Sequence, residues 1–109
     1  MNSPVKFGLD EETLETITNC IKVFPEIDEV IIFGSRAMGN YKPASDIDFA
    51  LKGNLKENTT SGLWSMLDNA PRFPYKVDVL VYNKISEPEL RKHIDEEGKV
   101  FFRKSHISQ

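Results

Sequence analysis

Asp46 and Asp48, separated by one residue, open a short apolar run, and Asp78 interrupts a later run of valines. Successive side chains of a strand point to opposite faces, so Asp46, Asp48 and Ala50 share one face while Ile47, Phe49 and Leu51 share the other. In Val77-Asp78-Val79-Leu80-Val81-Tyr82 the same alternation parts the valines from Asp78, Leu80 and Tyr82. If the valines pack with Ile47 and Phe49, all three carboxylates reach one patch. Two unit charges about 4 Å apart repel by roughly 4 kcal/mol at an effective dielectric near 20, so such a patch needs compensation. Protonating one acid would relieve it, but no general-acid partner is evident beside these positions. Hard divalent cations compensate more fully, because Mg²⁺ takes carboxylate oxygen, water and substrate phosphate as ligands. Two such ions, roughly 3.5 to 4 Å apart, stabilise both the attacking and the leaving oxygen of an in-line phosphoryl transfer. In the plainer reading Asp46 caps a turn, Asp48 pairs with a lysine and Asp78 is an exposed sheet residue. That suits each aspartate alone better than the three together, because aspartate is a poor strand former.

These acids need elements to position them. Asp10 is a helix N-cap before Glu11 and Glu12, and Leu14, Ile17, Ile21 and Phe24 follow at helical spacing up to Pro25. Val30-Ile31-Ile32-Phe33 is a buried strand closed by Gly34-Ser35, and Asp46 to Leu51 is a second, closed by Gly53-Asn54. Arg36 to Ser45 has room for one helical turn and a loop. Asn58 to Ser61 offers caps for a helix through Leu63 and Leu67 to Pro71, and Lys76 to Tyr82 is the third strand. Ser86-Glu87-Pro88-Glu89 reads as a capping box that opens a helix to Gly98, and Val100-Phe101-Phe102 returns extended. Residues 1–109 thus form a single α/β domain: a small mixed, twisted sheet of three or four strands, helices on one face and the aspartates open on the other. Residues 104–109 are expected to be a loose tail.

Glycine lets backbone approach a phosphate closely, and amides with the Ser35 hydroxyl can bind its oxygens, so Gly34-Ser35 is a candidate phosphate site. Alone the dipeptide is equally an ordinary turn. Phe33-Gly34-Ser35-Arg36-Ala37-Met38-Gly39, followed by Ser45-Asp46-Ile47-Asp48-Phe49 with ten residues between Ser35 and Asp46, resembles the signature of the polymerase-beta-like nucleotidyltransferase superfamily. Asp78 stands where that pattern has its third acid. In so short a chain, the Gly-Ser-Arg-Ala form looks most like the minimal nucleotidyltransferases, the antitoxin side of HEPN/MNT pairs. The resemblance implies nucleotide contacts at Gly34 and Ser35, metal ligation by Asp46, Asp48 and Asp78, and help from Asp78 in activating the attacking hydroxyl. It also implies Mg²⁺, two ions, with ATP or another NTP as substrate. Arg36 would add a phosphate contact, or else pair with an acid at the surface. Met38 departs from the pattern, where a basic residue is usual.

Larger members of the superfamily carry an added domain that grips the acceptor, and these residues leave no room for one. The resemblance therefore implies a helical HEPN-type partner in a hetero-oligomer, and transfer of a nucleoside monophosphate, AMP from ATP, to a hydroxyl of that partner. The alternatives are an antitoxin that acts by binding, through a surface such as that around Trp64, and a small-molecule nucleotidyltransferase.

Other features set bounds. Among 109 residues the net charge is −3, which gives no whole-molecule attraction for nucleic acid or an acidic membrane, and the lysines form no strip. Cys20, the sole cysteine, sits by the apolar stripe of the first helix as a packing residue and cannot form an internal disulfide, which fits the cytoplasm. No apolar run is long enough to span a bilayer or mark a secretory leader. His93 is expected on a solvated helix face, His106 has no metal-like spacing to it, and Trp64 with Leu63, Met66 and Leu67 is expected in the core.

Overall fold

The computed structural model describes residues 6–104. In chain order the elements are α1 (Glu11–Lys22), β1 (Ile27–Phe33), α2 (Ser35–Met38), β2 (Ile47–Gly53), α3 (Thr59–Asp68), β3 (Val77–Val81), a 3-10 turn (Tyr82–Lys84), α4 (Pro88–Glu97) and β4 (Lys99–Arg103). The strands form one four-stranded sheet in the order β3-β2-β1-β4. β1 runs antiparallel to β2 and β4, whereas β2 and β3 are parallel, as the intervening α3 crossover requires. The sheet is therefore mixed, as expected.

One face carries the larger core. Ile17 and Ile21 of α1 and Leu63 and Leu67 of α3 are buried against Val30, Ile32, Ile47, Phe49 and Leu51. α1 begins as the sequence predicts: the Asp10 carboxylate accepts from the Thr13 amide at 2.9 Å. Cys20 is buried there, and its burial raises the thiol pKa, so it is the inert packing residue expected.

The opposite face is not left wholly open. α4 folds across part of it, packing Leu90 and Ile94 onto Ile31, Phe33 and Ala50. The expectation of helices on one face therefore holds for α1 and α3 and fails for α4. The cause is the facing of β1: it is buried on both sides, so Ile31 and Phe33 need a cover of their own.

Three local expectations also change. The capping box of Ser86 and Glu89 is not made, because α4 starts at Pro88 with Glu87 as N-cap, which places Glu89 at the second rather than the third helical position. Trp64 is 46% exposed and Met66 lies beside it at the surface. Only Thr59, Leu63 and Leu67, spaced by four, face inward on α3, so Trp64 falls off the buried stripe. Lys104 is tied down rather than loose: its amide donates to the Asp28 carbonyl at 2.7 Å and its ammonium to that of Pro25 at 2.8 Å. The rest of that expected tail, with His106, lies outside the described residues. Among the described residues, no helix is long and apolar enough to cross a membrane.

Candidate active site

The register of the sheet builds the site. Phe33, the last residue of β1, pairs with Asp48 on β2, and Asp48 pairs with Asp78 on β3. Adjacent strands lie about 4.8 Å apart, so Asp48 and Asp78 are side-by-side neighbours in the parallel ladder, as the alternation of the valines requires. Asp46 precedes β2 by one residue, and the Ile47 amide between the two acids is held by the Lys76 carbonyl at 2.9 Å.

Asp48 is half-buried, whereas Asp46 and Asp78 are exposed. Burial, then the charge of Asp78, then that of Asp46 raise the Asp48 carboxyl above its ordinary value of 3.8. Asp48 thus feels the charge of both other acids. No three His, Cys, Asp or Glu side chains among the described residues are drawn together to hold a metal ion as they stand. The donor set nonetheless fits a divalent cation in kind: three carboxylates, two of them exposed, around one whose charge lacks compensation. Asp46, Asp48 and Asp78 would hold it.

Gly34 links this row to the turn after β1. Its φ of 78° and ψ of −157° lie in a region that only glycine adopts readily. A Cβ there would also collide with Asp48 Oδ2. Gly34→Ala is therefore expected to destabilise the domain by about 2 kcal/mol. The melting temperature of the purified variant checks this, and an unchanged value would show that the turn tolerates a side chain. Ser35, half-buried, begins α2 directly after this turn.

Arg36 is not where a phosphate contact or a surface ion pair would put it. It is 1% exposed. Its guanidinium donates to the carbonyls of Phe7 at 2.9 Å, Pro43 at 3.1 Å and Ser45 at 2.9 and 3.1 Å. Tyr41 and Tyr75 lie against it at 5.4 and 5.1 Å. Four donors are thus committed to backbone oxygen, which corrects both expectations for this residue. Ser45 directly precedes Asp46, so Arg36 anchors the loop that delivers the first acid.

His93 corrects the sequence reading in the other direction. It is half-buried on α4, and its Nε2 accepts from the Gly34 amide at 3.1 Å. The signal for it was the spacing Leu90-x-x-His93-Ile94, which puts His93 on the buried side of a helix with few apolar residues.

An open mixed sheet with a Gly-Ser turn at one strand end and carboxylates across the two strands beside it defines a nucleotidyltransferase domain. Residues 15–107 match the family model for polymerase beta, nucleotidyltransferase, and the chain belongs to that family. Among solved structures, it is similar to one of a toxin–antitoxin with AMP-PNP, with a TM-score of 0.68 at 21% identity, over 84% of this chain and 73% of that one. It is also similar to the toxin–antitoxin MntA-HepT, with a TM-score of 0.61 at 16% identity, over 87% and 74%. A protein from Sulfolobus solfataricus gives a TM-score of 0.51 at 28% identity, over 83% and 76%. No curated protein matches the chain.

Proposed function

We propose that the protein transfers a nucleoside monophosphate, AMP from ATP, to a hydroxyl on a partner protein of the helical HEPN type, as the antitoxin of a toxin–antitoxin pair. The observation that carries this reading is the register that sets Asp48 beside Asp78 at the level of the Gly34-Ser35 turn. Gly34 and Ser35 hold the triphosphate, with Ser35 supplying hydroxyl and amide donors. Asp46, Asp48 and Asp78 would hold divalent cations, Mg²⁺, which would neutralise charge on the phosphates. Asp78, exposed on β3 at the edge of the sheet, accepts the proton of the attacking hydroxyl. The hydroxyl oxygen then bonds to the α-phosphorus, the bond to the bridging oxygen breaks, and pyrophosphate leaves.

Partner binding without transfer is the second reading, favoured by the exposure of Trp64 and Met66 on α3. Label distinguishes the two. The co-purified complex, incubated with Mg²⁺ and ATP labelled at the α-phosphate, should label the partner, and a chelator should prevent it. Label arriving from the γ-phosphate instead, or none from either, would contradict nucleotidyl transfer.

A further inference from the structure

The Gly34 amide marks where the β1 ladder runs out. Pairing with β2 ends at Phe33 and pairing with β4 at Ile32, so neither strand offers Gly34 an acceptor. His93 supplies one from the other side of the sheet, through Nε2 at 3.1 Å. Its ring stands edge-on to Phe33, with centroids 6.1 Å apart at 78°, and the adjacent Ile94 is buried against Ile31 and Phe33. The imidazole is thus held by packing, and an Nε2 that accepts leaves the ring only Nδ1 from which to donate.

We propose that His93 is a positioning residue of the nucleotide site. It fixes the glycine-only turn at Gly34 against β2, so that Ser35 and Asp48 keep one mutual geometry for the phosphates they serve. A backbone conformation of this kind persists only where its surroundings over-determine it, and the His93 bond is the contact that reaches the turn from α4. The Gly34 amide is then taken, so Gly34 serves the triphosphate through the close approach its missing side chain allows, and Ser35 supplies the donors. This inference rests on the reading of Gly34-Ser35 and the aspartates as a nucleotide site.

The test compares His93→Leu with His93→Gln, whose Oε1 can accept from the same amide, in the full chain. Two quantities are read: affinity for an ATP analogue with a methylene bridge between its α- and β-phosphates, the bond this reaction breaks, with Mg²⁺ by calorimetry, and hydrogen exchange of the Gly34 amide by NMR. His93→Leu should bind the analogue about tenfold more weakly and exchange Gly34 faster, the loss expected when one partly buried donor is orphaned. His93→Gln should restore both to near wild type. Undiminished affinity in a folded His93→Leu variant would overturn the proposal, as would a folded His93→Gln variant that binds no better than the leucine one. A wild-type chain that binds the analogue but labels no partner would refute the transfer reading and leave His93 its role. A wild-type chain that does not bind the analogue overturns both.

Discussion

Asp48→Asn is expected to lower nucleotidyl transfer by about a thousandfold while raising the melting temperature at neutral pH. The two effects share a cause. Asp48 is the most buried of the three acids, and both of its acidic neighbours push against its charge. Its folded pKa is raised above the ordinary 3.8, so the native state binds the proton more tightly than the unfolded chain does. The stability this group contributes is therefore fully present below pH 3.8 and is lost as pH rises through the folded value. In the absence of divalent cations, the variant should be more stable than the wild type at neutral pH. That advantage should shrink as pH falls through the folded pKa and vanish below 3.8. Asparagine keeps the shape and removes the charge that a cation would need, so transfer falls while the fold gains. Thermal melts at several pH values, alongside label transfer, check both halves. A variant that is less stable at neutral pH would show that Asp48 is already compensated by the protein.

Arg36→Ala is expected to destabilise the domain by about 4 kcal/mol, and Arg36→Lys to recover little of it. The guanidinium bonds three backbone carbonyls from two separate segments, around Phe7 and between Pro43 and Ser45. Removing it leaves those oxygens without their donor in a place water reaches poorly, and opens a void between Tyr41 and Tyr75. A lysine has three donors on one point and cannot span carbonyls set around a planar fork. Denaturant unfolding measures the loss. Recovery of most of the stability by lysine would mean that charge alone, not the fork, holds the loop before Asp46.

Local features of the sequence were the legible ones. The β-branched runs at Val30 to Phe33 and Val77 to Val81 became strands, and Asp10 capped its helix. The alternation of Asp48 with Phe49, and of Asp78 with Val79, set both acids on the face away from the main core, because period two leaves no other choice once the valines are buried. Long-range placement was not legible. Val100 to Phe102 reads as an extended piece, but nothing local tells it to pair with β1. That pairing brings α4 over the aspartate face, and with it His93. Arg36 reads as a surface residue because its partners are backbone carbonyls, which carry no sequence signal. Trp64 was misplaced for a related reason: Leu63, Trp64, Met66 and Leu67 offer more apolar surface than one side of a helix can bury, and only the neighbours of α3 decide which are left out.

The central claim is covalent, so the mass of the partner tests it most directly. The partner would be purified from cells that co-express it with this chain, and from cells that co-express the Asp46→Asn, Asp48→Asn double variant. With the wild-type chain, the partner should be heavier by a whole number of nucleoside monophosphates, carried on a hydroxyl side chain, and with the variant it should have its unmodified mass and stay toxic. A partner that is neutralised at its unmodified mass would contradict the account and leave a protein that acts by binding alone.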